Sequence, residues 1–177
     1  SNYLSRITWQ NVSDVELLNT IDKVNDIKRI CLQIVSDDNS LNMLKSLVIN
    51  LILVSKNNFK ISISIASSNI EYLESLFEIG VDTITIPLDC AKLKTYKKFK
   101  GTDFKEKIQA LVNLSQIYKG NVGTHLIYGL SDTIEDFFKM MSFLKSNSIN
   151  TGLFSFTPLT GTELENLPKP DLSSYRK

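Results

Sequence analysis

The sequence predicts an α/β fold, a parallel sheet curved into an open sheet or a barrel. Three observations predict it. Short β-rich runs alternate with helical patterns along the chain, and strands separated by helices pair in parallel through right-handed crossovers. Inside the strands aliphatic residues alternate with small or polar ones. The run over 123–165, GTHLIYGLSDTIEDFFKMMSFLKSNSINTGLFSFTPLTGTELE, reads as strand, glycine turn, amphipathic helix, strand and proline–glycine turn.

Strands are expected over 28–35, 60–66, 82–88, 122–128 and 152–157, and helices over 15–24, 41–54, 69–79, 103–118 and 133–146. Ser68 or Asn69 caps the start of the third helix, and Gly80 ends it in a left-handed turn. Thr102–Asp103 opens the fourth helix with Glu106 nearby, and Asp132 caps the fifth. In the first strand Ile30, Leu32 and Ile34 alternate with Cys31 and Gln33. In the second Ile61, Ile63 and Ile65 alternate with Ser62 and Ser64, and in the third Ile84, Ile86 and Leu88 alternate with Thr83, Thr85 and Asp89. Successive strand side chains point to opposite faces. A sheet covered by helices on both faces has near-continuously apolar strands, so helices are expected on the aliphatic face alone. The other face then lines a polar cavity, unlike the Val/Ile/Leu-filled interior of an eight-stranded barrel. A small sheet with one solvated face is the alternative. Extending the phase turns His125, Ile127 and Gly129 inward, then Ser155 and Thr157, and leaves Phe154 in the aliphatic phase.

Composition narrows the function classes. Lys and Arg number 20 against 19 for Asp and Glu, a balance that gives no nucleic-acid or membrane signal. The most apolar run, 44–54, is too short and polar to span a bilayer, and SNYLSRITWQ has no signal-peptide pattern. The 177 residues suffice for one domain. Two separated cysteines, Cys31 and Cys90, form neither a metal pattern nor a disulfide framework, so a reducing cytoplasm is the expected location. The chain opens on Ser rather than Met, which suits a fragment or processed product.

Leu88-Asp89, THLIYGLSDT and FSFTPLTGT together resemble the radical S-adenosylmethionine (SAM) enzymes of the biotin-synthase type, which carry a run of the form hlIvGLgET…FtPlpGT. KRICLQIV resembles their second strand, YLSRITWQNV the segment after their cluster loop, and DLSSYRK a continuing C-terminal segment. By this resemblance residues 1–177 are strands two to six of a six-stranded partial barrel. The first strand and its cluster loop are expected to be missing at the N-terminus. The resemblance implies that Asp89 holds the SAM ribose hydroxyls. A carboxylate accepting from two hydroxyls is the device that nucleotide folds use; a strand-terminating Asp is the alternative. It implies that Ile127 packs the adenine, that Gly129 lets the backbone approach, and that Phe156, Thr157 and Pro158 meet the adenine at the next strand end. Gln33 and His125 join these candidates as inward polar groups. His125, the sole histidine, is either a general base or a hydrogen-bonded lumen residue.

The family's CxxxCxxC signature, which binds a [4Fe–4S] cluster through several thiolates, is absent from the chain. So is its glycine–glycine–glutamate motif, whose approximate place VSDDNS takes. The cluster is therefore expected in a full-length parent only, and this chain alone is expected to be inactive. The nearest likeness is to archaeal biotin-synthase-related proteins, including two-component lipoyl synthases. It implies hydrogen abstraction by a 5′-deoxyadenosyl radical and sulfur insertion into a small-molecule or carrier-protein-bound acyl substrate. The seven lysines over 92–107 are a solvated helix face or a docking patch for an acidic carrier protein. A non-catalytic barrel that binds a nucleoside or a paralogous subunit is a second reading, and a non-radical enzyme using His125 as base a third.

Overall fold

Isoleucine at every second position makes 60–65 a strand with one buried face. In the computed structural model Ile61, Ile63 and Ile65 are almost wholly buried, while Ser62 and Ser64 are half-buried. Burying each isoleucine is worth about 1.5–3 kcal/mol. A one-residue slip would turn all three to the other face, so the phase of this strand is fixed. The structure describes residues 10–24, 26–34, 38–54, 59–171 and 173. The expectations placed on YLSRITW, on residues 35–37 of VSDDNS and on residues 172 and 174–177 of DLSSYRK lie outside these.

Five strands, β1 (Arg29–Ile34), β2 (Lys60–Ile65), β3 (Thr83–Thr85), β4 (Val122–Tyr128) and β5 (Asn150–Ser155), lie in one curved sheet in sequence order, every pair parallel. The helices are α1 (Asp14–Lys23), α2 (Asp38–Val54), α3 (Ile70–Glu78), α4 (Leu93–Phe99), α5 (Phe104–Ile117) and α6 (Ile134–Ser146). Sequential order with right-handed crossovers winds the chain one way, so the helices share one face. The core lies there, with Ile84, Ile86, Leu88, Val122 and Leu126 fully buried. Phe77 of α3 stacks on Tyr118 at the end of α5 with ring centroids 3.9 Å apart, and the Tyr72 hydroxyl donates to the Leu41 carbonyl of α2 at 2.7 Å.

The other face follows the expected polar phase across β1 to β3. Cys31 pairs with Ser62 and Ser62 with Thr83, while Gln33 pairs with Ser64 and Ser64 with Thr85. Its N-terminal end carries an ion cluster: Arg29 bonds Ser62 and reaches Asp82 at 2.8 Å, and Lys60 reaches Asp82 at 3.3 Å. Asn69 caps α3 by accepting from the Tyr72 amide at 3.0 Å, and Gly80 ends that helix at φ +109°.

Four expectations need correction. The third strand stops at Thr85 rather than 88, because Pro87 has no N–H for the ladder. The lysine-rich stretch holds an additional helix, α4, whose fully buried Tyr96 anchors it. Asp132 does not cap α6. Thr133 does, in a capping box with Asp136, and Asp103 occupies the cap position of α5 without a side-chain cap bond. In β5 the inward phase is opposite to that expected. His125 pairs with Gly152 and Ile127 with Phe154, and neighbouring paired residues share a face. Phe154 therefore stands beside His125, half exposed, with their rings edge-on at 5.0 Å. Ser155 takes the phase of Leu153, and Thr157 lies beyond the strand end. The alternation in FSFT is equally regular in either phase, so only the ladder decides it.

Candidate functional site

A bulge places the principal candidate, Asp89. Ile84 pairs with Val122 and Thr85 with Gly123, but the next pairing is Asp89 with Leu126. Four steps on one strand, Thr85 to Asp89, run against three on the other, Gly123 to Leu126. An extra residue of this kind bends a strand and re-aims a side chain. The detour would strand backbone groups that Thr124 satisfies: its buried hydroxyl donates to the Ile86 carbonyl at 2.8 Å and accepts from the Leu88 amide at 3.2 Å. Beyond it the Asp89 amide donates to the His125 carbonyl at 2.8 Å, and the Ile127 amide donates to the Asp89 carbonyl at 2.9 Å. Asp89 itself adopts φ +62°, a region that non-glycine residues seldom occupy. Its carboxylate, 13% exposed, meets the Lys100 ammonium at 2.6 Å.

A second set of bonds locks this segment to the turn after β4. The Asp132 carboxylate is buried and accepts from the Ala91 amide at 2.6 Å and from the Thr95 hydroxyl. Lys92 pairs with Asp136 in the first turn of α6. Asp136 is held at about 2 by the Lys92 bond first and by the Thr133 cap bonds after it. The loop carrying Asp89 and the turn carrying Gly129 thus form one connected wall.

His125 is half-buried, and burial lowers its pKa below 6.5, with Asp89 opposing in part. Neutral imidazole is the favoured form. Gly152 makes room for it, since a Cβ there would lie 2.9 Å from His125 Cδ2. Gly129 adopts φ +106°, and a Cβ there would lie 2.9 Å from Pro170 Cγ and 3.1 Å from Phe156 Cβ. The close approach at Gly129 is made by the chain itself. Phe156, tied by its amide to the Tyr128 carbonyl at 2.8 Å, Thr157 and Pro158 are half-buried at the same end of the sheet. The structure therefore brings Asp89, His125 and Ile127 together, with Gly129 and Phe156 in mutual contact beyond them. Gln33 stands apart. It is exposed on β1, three strands from His125, roughly 14 Å at about 4.8 Å per strand. It lines a separate cleft of about 310 Å³ with Asp14, Ser40 and Met43. A groove of about 800 Å³ between α6 and the β5 edge, lined by Phe138, Met141, Lys145 and Leu153, contains none of the candidates.

The lysine run divides by position. Lys92 and Lys100 are in the pairs just described. Lys107 is buried, 3.1 Å from Asp103 and 2.7 Å from the Tyr96 hydroxyl, which itself donates to Asp103 at 2.8 Å. Burial, and then Asp103, push the Tyr96 phenol upward, while the Tyr96 and Lys107 bonds outweigh burial and hold Asp103 low. Lys94, Lys97, Lys98 and Lys105 are exposed. Sequence reasoning missed Lys100, Thr124 and Pro170, and gave Asp132 a different role. Thr124 opposite a strand proline was the one legible signal.

Cys31 is exposed on the inward phase of β1. Cys90 is fully buried, its thiol pushed up to about 12 by burial and by Asp132 and Asp89, against Lys100. Cys31 sits on β1, and Cys90 follows Asp89 in the segment after β3, with β2 between the two segments. Among the described residues no group of three His, Cys, Asp or Glu could hold a metal ion, and none of the helices is long and apolar enough to cross a membrane.

Comparison with solved structures places the same architecture in longer proteins. HydG, a maturase of the [FeFe]-hydrogenase, superposes with a TM-score of 0.76 at 13% identity over 97% of this chain and 42% of its own. Methylornithine synthase (PylB) gives 0.73 at 18% identity over 93% of this chain and 52% of its own. HydG from Carboxydothermus hydrogenoformans gives 0.67 at 13% identity, covering 97% and 43%. At these identities the likeness is one of fold. A curated relative, an uncharacterized protein of Methanocaldococcus jannaschii, is 31% identical over 103 residues, 56% of this chain and 27% of that protein. The chain thus spans about a quarter of that relative's length and about half or less of the superposed structures. The profile of the Radical SAM superfamily matches residues 2–144, most of the chain, which belongs to that superfamily.

Proposed function

We propose that this chain is the nucleoside-holding wall of an enzyme that uses SAM and a [4Fe–4S] cluster to abstract hydrogen from an unactivated carbon. We propose further that the reaction is completed by sulfur insertion of the biotin- or lipoyl-synthase kind. Family membership makes SAM and the cluster the expected cofactors. The observation that carries the reading is the bulge at Pro87, which sets a carboxylate beside β4 at the C-terminal end of a parallel sheet, where open α/β sheets bind ligands. Asp89 would accept the ribose hydroxyls, Ile127 and Phe156 would flank the adenine, and Thr157 and Pro158 would offer backbone groups. His125, neutral, and Gln33 would supply polar lumen contacts. The residues present fit a nucleoside: a largely buried carboxylate acceptor beside half-buried apolar side chains at the sheet end.

SAM bound there would supply the hydrogen-abstracting group, and the protein supplies orientation. Cys31 and Cys90 do not fit the cluster. They are two, one on β1 and one in the loop after β3, and the Cys90 thiol is held protonated, whereas cluster ligands are several thiolates. Exposed Lys94, Lys97 and Lys105 support an acidic carrier protein bearing the acyl substrate, and a cytoplasmic setting suits such a partner. A second reading is a non-catalytic barrel that binds a nucleoside or a paralogous subunit. A CxxxCxxC motif in the intact gene product would exclude it.

Calorimetric titration with SAM and S-adenosylhomocysteine tests the primary reading. Saturable one-to-one binding is expected, weakened about tenfold or more by Asp89→Asn. Binding indifferent to that substitution would sink the assignment of Asp89. Anaerobic reconstitution of this chain should leave it without iron–sulfur absorbance, and stoichiometric absorbance would refute the exclusion of its two cysteines as ligands.

A further inference from the structure

We infer that Lys100 is a positioning residue of the nucleoside site, holding one oxygen of Asp89 so that the remaining acceptor positions are presented to a ribose diol. This rests on the reading of Asp89 given above. An ionised carboxylate has two oxygens and about four acceptor positions. Lys100 Nζ takes one, on Oδ2 at 2.6 Å, and a diol needs two of the others. The pair is not an ordinary surface ion pair, because the Asp89 side chain is 13% exposed and a desolvated carboxylate is costly without a partner.

The geometry of Lys100 is itself prepared. It closes the seven-residue helix α4, its amide donating to the Tyr96 carbonyl at 2.8 Å. Tyr96 is fully buried and bonded to Asp103 and Lys107, and Thr95 is bonded to Asp132. The stem of Lys100 therefore starts from a fixed point, and its reach to Asp89 holds the carboxylate of a residue whose backbone is already in the left-handed region. The other lysines of the run do other work or face solvent.

Adenosine and 2′,3′-dideoxyadenosine, titrated against the full chain by NMR, test the inference. Lys100→Met is expected to weaken adenosine about tenfold and to change dideoxyadenosine by less than about twofold. Lys100→Arg should restore most of the loss. Lys100→Gln serves as a second neutral variant where methionine disturbs folding, checked by circular dichroism. An equal loss for both ligands, no change, or tighter adenosine binding would each overturn the inference. If the unaltered chain does not distinguish the two nucleosides, the reading of Asp89 fails and this inference with it. If it does, and Asp89→Asn abolishes the distinction while Lys100→Met keeps it, the role of Lys100 alone fails.

Discussion

Replacing Asp132 by alanine separates two accounts of that carboxylate. As a helix N-cap it would be worth about 1 kcal/mol. As the structure has it, the side chain is buried and accepts from the Ala91 amide at 2.6 Å and from the Thr95 hydroxyl. Hydrogen bonds to a charged group contribute about 1.5–3 kcal/mol each, so two give about 3–6 kcal/mol. Removing the carboxylate also relieves its own desolvation cost, which sets the expected loss nearer 3 kcal/mol. For a chain of this size 1 kcal/mol shifts Tm by about 2–4 °C, so Asp132→Ala should lower Tm by about 6–12 °C. Thr133→Ala, which removes the actual cap bond to the Asp136 amide, should lower it by about 2–4 °C. Thermal unfolding followed by circular dichroism, with urea unfolding beside it, measures both. An Asp132→Ala loss no larger than that of Thr133→Ala would refute the locking argument.

Two further outcomes follow from the same geometry. Stability should fall with acid in two stages. Folding lowers the pKa of His125 below 6.5, so the unfolded chain takes up its proton first and stability declines as pH falls below about 6.5. Folding also lowers Asp82 and Asp103, and holds Asp136 at about 2. Their contribution is full above about pH 4 and is lost as pH falls towards about 2. Urea unfolding across this range should show the upper stage vanish in His125→Gln, and an unchanged upper stage would remove His125 from it. Gly152→Ala brings a Cβ to 2.9 Å from the His125 ring and should cost about 1–3 kcal/mol by overpacking. His125→Ala in the same chain should recover part of that loss, and strictly additive losses would contradict the contact.

The parts legible in the sequence share one property. Each rests on a local pattern whose alternative is much costlier. Ile61, Ile63 and Ile65 admit one buried face, and Asn69 and Gly80 bracket α3 as expected. The errors fall where two local readings cost nearly the same. Asp132 and Thr133 are both good N-cap residues, and only the long-range partners Ala91 and Thr95 draw the aspartate inward. In FSFT a phenylalanine faces either way, until the pairing of His125 with Gly152 turns Phe154 to the cavity side. The lysine run looked uniform because charge is a one-residue property. Burial of Lys107 and the pairing of Lys92 and Lys100 are set by elements distant in sequence.

The sequence by itself determined the strand–helix alternation, the polar inner face of the first three strands and membership of the Radical SAM superfamily, because these depend on periodicity and on short motifs. Only the tertiary structure decided the site. Asp89 is positioned by one extra residue in the β3–β4 register, by Thr124 bridging the gap and by Lys100 closing on its carboxylate. Register and ion pairing across strands and helices are non-local: they are selected by the summed packing of the sheet, and no single segment encodes them.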